Sequence, residues 1–388
     1  MLKLFGDRII WGVSILLCIT SILLVYSSGG YNSLTNHVTH LLMGVGLIFI
    51  FSRFNYKYFT NLSTILLCVS VIMLLWLIIN PYSYRGDILA GRWIKLGFIS
   101  FQPSELAKYS LLLFLCRNLF VFKDKINTFW SFFVYILLPT IIVCALIVQS
   151  NLSTVLLIVS ILFFIVFISG YPLKLFSTHL ILPSLIICGI FFSLLCLPPI
   201  AAVDKVFPRL TTWKNRMCAK DLKKIPFIWI DDSQYDETQN YSNNYQINNA
   251  LGAINRGGLF GKGAGHSYYK RLLPDSKSDF IFSILIEEYG VLGGVFVLIL
   301  YLLFYQRILM LSVRSEEEFP RLLLLGLGTI IVLQALLHMS VSVNLIPVTG
   351  QTLPLISKGG SSVWVTSLAF GIILNISYQI NNQHKTSS

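Results

Sequence analysis

The chain has 388 residues, 55% of them hydrophobic and 12% charged, with a mean hydropathy of +0.74 and a formal net charge of +12. A water-soluble globular chain carries about 25% charged residues, so this balance excludes a soluble domain. Its basic residues are scattered over many loops rather than gathered in one stripe, which argues against a nucleic-acid partner, and the seven cysteines, six of them inside apolar runs, suggest neither a disulfide framework nor a zinc site.

A run of ~20 apolar residues spans a hydrocarbon core of ~30 Å. Taken in chain order, such runs predict helices at 9–28, 37–52, 62–80, 104–122, 130–148, 152–170, 174–197, 280–305, 320–343 and 360–380. The first follows Lys3 and Arg8 directly and is too long for the apolar region of a signal peptide, so it reads as a retained helix. The second is short and holds His37 and His40. Twelve Lys and Arg residues, Arg53, Lys57, Arg307 and Arg314 among them, fall in the loops and helix ends on the side of the N-terminus. Four, Arg85, Arg92, Lys95 and Lys358, fall in the short loops opposite, which by the positive-inside rule puts both termini in the cytoplasm. The segment 198–279, between the seventh and eighth helices, is the one long polar insertion and faces outward. Its middle, Ile230 to Tyr245, reads as exposed loop from its Asn, Asp, Ser and Tyr content. The expected fold is an all-α polytopic membrane protein of about ten transmembrane helices, a single domain over 1–388 with one large extracytoplasmic loop.

Ionisable and polar groups at membrane depth are functional candidates by default, and four stretches carry them. In the first, Arg92 and Lys95 precede Gln102-Pro103-Ser104-Glu105-Leu106-Ala107-Lys108. Pro103 suits a first helical turn, and Glu105 and Lys108 then share a face, as a buried ion pair or as the polar floor of an outward cleft. The second is the glycine-rich run from Gln246 to Gly265 with Arg256 and Lys262. It presents N–H groups and cations to phosphate oxygens, or its glycines only permit tight turns; it is not a Walker A loop.

In the third stretch, Asp279 stands where a polar segment becomes a helix, as an N-cap or as a general base. Glu287 and Glu288 lie ~12–13 Å deeper, and at least one should face the bundle interior. The fourth, Asn344 to Ser362, holds two prolines and three glycines. Such irregular backbone is tolerated at membrane depth only when buried in protein or lining a wet cavity. It ends in Ser361 and Ser362. His338, just before it, reads as a packed polar residue rather than a ligand, and no HExxH or Cys/His cluster suggests a protein-built metal cage.

These stretches, in this order, resemble the SEDS family of bacterial shape, elongation, division and sporulation proteins. Arg-Trp-Ile and Gln-Pro-Ser-Glu-Leu-Ala-Lys stand within Arg92 to Lys108, Asp-Phe-Ile-Phe and Glu-Glu-x-Gly within Asp279 to Gly290, and Pro-x-Thr-Gly, Leu-Pro and Gly-Gly-Ser-Ser within Pro347 to Ser362. The glycine pattern at 250–270 looks like the division branch. Two departures stand out: Ser150-Asn151-Leu152-Ser153 replaces Pro-Asp-Leu-Gly, which removes an acid from that position, and Lys358 replaces an aromatic residue.

The resemblance implies a peptidoglycan glycosyltransferase that polymerises lipid II, making undecaprenyl-linked glycan on the outer face of the cytoplasmic membrane at the division septum. A class B penicillin-binding protein and other division proteins would be its partners. Asp279 suits the general base. Arg92, Lys95, Lys108, Arg256 and Lys262 suit the diphosphate, with a divalent cation, Mg or Mn, bridging it; Glu105, Glu287, Glu288, Ser361 and Ser362 complete the candidate substrate site. The rival readings are a lipid II flippase, which would use the same intramembrane charges, and a non-enzymatic division scaffold.

Overall fold

In a computed structural model of the chain, residues 5–80, 92–96, 99–186, 189, 237–273 and 276–386 are described. Helix α1 spans Arg8–Arg53, α2 Tyr58–Ile79, α3 Pro103–Val121, α4 Phe129–Val148, α5 Leu152–Ile168 and α6 Leu173–Ile186. Beyond these come α7 Glu237–Gly257, α8 Ile281–Arg314, α9 Glu318–Ser342 and α10 Gly360–Thr386. A two-stranded antiparallel hairpin, β1 Ile94–Leu96 and β2 Ile99–Phe101, pairs Ile94 with Phe101 ahead of α3. Among the described residues six helices are long and apolar enough to cross a membrane, and the chain is a multi-pass membrane protein.

The first two expected helices are the two arms of α1, one on each side of a break at Gly30. A straight helix of 46 residues would reach about 69 Å, more than twice a hydrocarbon core. The chain instead doubles back at Gly30, where φ is 66° and ψ −172°. Ser21 Oγ therefore lies 2.6 Å from His37 Nε2, although their separation along a straight helix would be about 24 Å. Helix α8 breaks in the same manner at Gly290 (φ 73°, ψ −179°). The expected helix at 280–305 is thus a short entry segment followed by a membrane-length arm.

Two distortions are associated with proline, and the first has a visible compensation. Residues Phe133–Leu137 of α4 widen into a π turn just before Pro139, because proline lacks an N–H and its ring crowds the carbonyl four residues back. That carbonyl belongs to Tyr135 and accepts instead from Asn118 Nδ2 of α3 at 2.8 Å. The same widening at Ser177–Ile181 of α6 precedes Pro183; the expected continuation of this helix to 197 lies outside the described residues beyond Ile186, apart from Gly189.

The expectation of exposed loop over Ile230 to Tyr245 fails from Glu237 onward, where α7 begins. Its composition is polar, but Ala250 and Ala253 are 1% and 0% exposed and form a small-residue stripe that docks the helix on α8. Packing of one face overrides weak propensity. Residues 198–236 of the expected outer loop lie outside the described set.

The core is centred on α9 and α10, 78% of whose most apolar stretches is buried, against 28% for α2, which lies at the periphery. One polar end of the bundle gathers Asp7, the α1 terminus, Glu317, Glu318 and the end of α10. There Asp7 caps α1 through Ile9 N–H at 2.9 Å and accepts Arg307 Nη2 at 2.6 Å, while Tyr56 donates to Glu317 at 2.7 Å. The opposite end gathers the β hairpin, the α4–α5 turn, residues 258–280 and residues 344–359, and holds most of the candidate residues.

Candidate functional site

The connection from α9 to α10 forms the floor of this second end and is stitched into every helix around it. Gln334 Nε2 of α9 donates to Thr352 O at 2.9 Å, Gln351 Nε2 to Thr154 Oγ1 of α5 at 2.7 Å, and Tyr301 OH of α8 to Pro354 O at 2.5 Å. His338 Nδ1 lies 2.8 Å from Gln351 O. Ser357 Oγ reaches Ser278 O at 2.7 Å and Lys358 N–H reaches Lys277 O at 2.9 Å, which holds the strand of chain leading to Asp279 against this floor. Every carbonyl and amide bonded here is one fewer unsatisfied group in irregular backbone, as membrane depth requires.

Arg92 and Asp279 meet on this floor at Gly350. A methyl group added to Gly350 would stand 2.9 Å from Arg92 Nη1 and 3.5 Å from Asp279 Oδ2. The backbone there has φ +66°, the left-handed region that favours glycine, so the position satisfies both the turn and the close approach of the two side chains. Arg92 Nε also donates to Ser150 O at 2.9 Å, the end of α4. Helix α8 takes Phe280 as its N-cap position, with no side-chain cap, so Asp279 stands one residue ahead of the cap. The local reading of Asp279 as the N-cap of α8 is thereby corrected.

Three buried polar atoms nearby have no partner among the described residues: Asn151 Nδ2, Gln351 Oε1 and His338 Nε2. They are linked through Thr154, whose hydroxyl accepts Gln351 and whose N–H faces Asn151 Oδ1 at 3.4 Å. Buried polar atoms without partners are costly, and their clustering beside Arg92 and Asp279 marks a place where a polar ligand would be bonded. None of these three was singled out from the sequence for binding. Asn151 was visible only as a departure from an acidic position; here its Oδ1 caps α5.

The remaining candidates divide. Lys108 Nζ, buried, donates to both Glu105 oxygens at 3.1 and 3.0 Å and to Gln334 Oε1 at 2.6 Å; all three of its protons are used inside the protein. Ser361 Oγ accepts Gln102 N–H at 3.1 Å, anchoring the start of α3, and Ser362 pairs with Thr352 at 2.8 Å. Lys95 lies in β1 opposite Ser100, with its side chain outside the described set. Lys262 is exposed on the outer turn.

The glycine-rich run does not offer its amides to a phosphate. Gly261, Lys262 and Gly263 N–H groups donate to Gly257, Glu287 and Glu288 carbonyls at 2.9, 3.0 and 2.9 Å, and Val291 N–H returns to Gly258 O at 2.9 Å. The break at Gly290 leaves helix-end groups of α8 unsatisfied, and the glycine turn supplies the partners on both sides. A Cβ at Gly257, Gly261 or Gly290 would fall 2.1, 2.2 or 2.1 Å from a backbone oxygen, so these glycines permit backbone contact. Glu287, fully buried, accepts from Arg256 Nη1 at 2.8 Å, from Tyr268 and Tyr269 N–H at 2.8 and 3.3 Å, and from the Ser267 hydroxyl. It organises the turn. Glu288, also buried, accepts from Ser27 through one oxygen, while the other has no partner among the described residues.

Comparison with known proteins follows the same lines. A family model described as "Cell cycle protein", for FtsW, RodA and SpoVE, matches residues 6–382. The chain is 29% identical over 351 residues to a probable peptidoglycan glycosyltransferase FtsW of Coxiella burnetii, covering 89% of this chain and 86% of the relative. It is 30% identical to one of Xanthomonas oryzae pv. oryzae, covering 92% and 68%. Among solved structures, a chain of a peptidoglycan synthase complex that coordinates polymerization and crosslinking superposes with a TM-score of 0.67 at 24% identity, covering 98% and 99%. The rod shape determining protein RodA of Thermus thermophilus gives 0.65 at 24%, covering 97% of each chain. With a family model spanning almost its whole length and the same fold in solved structures, the chain belongs to the FtsW, RodA and SpoVE family of cell cycle proteins.

Proposed function

We propose that this chain is a peptidoglycan glycosyltransferase that polymerises lipid II on the outer face of the cytoplasmic membrane during cell division, with both termini in the cytoplasm. The observation that carries the reading is the convergence of the Arg92 guanidinium and the Asp279 carboxylate on Gly350, in a chain whose relatives bear the name of that activity. The reaction joins the 4-hydroxyl oxygen of an acceptor sugar to the anomeric carbon of a donor. The bond from that carbon to the lipid diphosphate breaks, and the hydroxyl proton passes to a base. Asp279 accepts the proton, and Arg92, a fixed cation beside it, stabilises the charge that develops on the departing diphosphate.

Lys95 and Lys262 would meet the diphosphate during entry. A divalent cation, Mg or Mn, would lower the charge of the leaving diphosphate further. Among the described residues no three His, Cys, Asp or Glu side chains stand close enough to cage a metal, so such an ion fits as a companion of the substrate. A class B penicillin-binding protein at the division septum fits as partner, since a similar fold occurs in a peptidoglycan synthase complex. A flippase would need polar groups free along the crossing; Glu287 and Lys108, both buried, are instead committed to internal partners.

The test is Asp279→Asn, which keeps the shape of the side chain and one acceptor oxygen but cannot take up a proton. Expression, membrane insertion and partner binding should stay near normal while polymerisation of purified lipid II falls by at least ~10²-fold, the lower end of a general base's contribution. Retention of more than about a tenth of the wild-type rate would move the base elsewhere.

A further inference from the structure

Between the return arm of α1 and the two outer connections lies a cavity of about 810 Å³, within the ~300–1,000 Å³ of small-molecule sites. Lys270, Lys277, Lys358 and His40 line it, with hydroxyls such as Thr39 and Ser276, and no carboxylate is among the described lining residues. Among the described residues these lysines bond to neutral oxygens: Lys358 Nζ to Ser33 Oγ at 2.8 Å, and Lys270 Nζ to Ser27 O at 2.9 Å and Gly265 O at 2.8 Å. Lys277 lays its stem on the turn of α1, its Cε 2.8 Å from where a Cβ on Gly29 would be. The backbone bond from Lys358 N–H to Lys277 O sets these two side by side, and burial together with the Lys277 charge holds the Lys358 ammonium below its ordinary value.

Like charges gathered in a partly closed space repel unless an anion joins them. The cavity shares a wall with the Asp279 site without being part of it. Trp93 and Ser278 line the cavity, whereas their chain neighbours Arg92 and Asp279 meet at Gly350.

We propose that the lysine cavity binds the diphosphate of the acceptor lipid-linked saccharide. The assignment rests on the glycosyltransferase reading, because only a polymerase needs two diphosphate-linked substrates at once. The donor loses its diphosphate at the reacting carbon, so its cation belongs beside the base, where Arg92 is. The acceptor keeps its diphosphate, which is separated from its reacting hydroxyl by the rest of the saccharide. Its anchor therefore belongs behind a wall from the base, and lysines, compact and multiply donating, suit a phosphate held by charge.

The experiment counts undecaprenyl diphosphate molecules bound to the full-length chain in neutral-lipid nanodiscs by native mass spectrometry. Wild type should hold two. Lys277→Gln/Lys358→Gln should hold one with unchanged affinity and lose the second by at least about tenfold per lysine, the effect of one charge-assisted hydrogen bond. Lys277→Arg/Lys358→Arg should keep both, and the retained first molecule shows that the Gln variant is folded. Two molecules bound undiminished by the Gln variant would overturn the proposal. So would equal competition by phosphatidylglycerol, which would make the cavity a general anionic-lipid site, or inorganic diphosphate binding as tightly as the lipid-linked form, which would make its ligand soluble. Asp279→Asn should still bind two; if it also polymerises, the base assignment fails while the count stands, and the two failures are told apart.

Discussion

Lys108→Met separates the two readings that the pairing of Glu105 and Lys108 left open. The Lys108 and Glu105 side chains are 0% and 4% exposed, with their closest ionic contact at 3.0 Å, and Gln334 Oε1 receives the third ammonium proton at 2.6 Å. Removing the ammonium strands a carboxylate in low dielectric, a loss of about 3–5 kcal/mol, and leaves the Gln334 oxygen unbonded for a further ~1–3 kcal/mol. Glu105→Leu/Lys108→Met removes both charges at similar volume, so the carboxylate penalty disappears and the double variant should be more stable than Lys108→Met by roughly 2 kcal/mol or more. Equilibrium unfolding in mixed micelles, followed by tryptophan fluorescence, measures Lys108→Met, Glu105→Leu and the double variant as a double-mutant cycle. A single variant within about 1 kcal/mol of wild type, or a double variant as unstable as the single, would refute the buried-pair argument. Lipid II polymerisation by the stable double variant adds the second readout: retained activity assigns the pair to the fold, and a folded, inactive protein returns it to the floor of the cleft.

Gly350→Ala places a methyl group 2.9 Å from Arg92 Nη1 in left-handed backbone; it should cost about 1–2 kcal/mol of stability and lower polymerisation by displacing Arg92, and an unchanged rate would detach Gly350 from the site. Gly290→Ala drives a Cβ to 2.1 Å from Leu259 O at φ +73°, so the protein should fail to accumulate in membranes; normal expression would deny the interlock between α8 and the glycine turn. Topology is checked in a cysteine-free background. A cysteine replacing the exposed His266 should react with a membrane-impermeant thiol reagent from outside, and one replacing Ser315 should be protected. The reverse pattern would invert the orientation.

The class of protein was legible in the residues alone, because a bilayer admits only segments that are apolar over their whole length and satisfy their own backbone. Most expected spans, 320–343 against Glu318–Ser342 for instance, recur with shifts of a few residues. Arg92 and Asp279 were singled out for the same reason: charges at membrane depth are rare.

Tertiary structure decided what those groups do. The gap between the expected helices at 9–28 and 37–52 already contained Gly30, whereas the break at Gly290 falls inside one expected helix, since a hydropathy window sees composition and not φ. The glycines at 257 and 261 could be read as a phosphate cradle or as permitting tight turns, and in the fold they admit the backbone of α8. Arg256 is committed to Glu287, and the polar helix Glu237–Gly257 exists because one face of it docks. Lys270, Lys277, Lys358 and His40 belong to three separate stretches and share a cavity only once α1 has folded back on itself. Hydropathy is a property of each residue against its solvent, so a single chain reports it. Charge pairing and backbone contact are properties of two segments, and their partners exist only after the fold has brought them together.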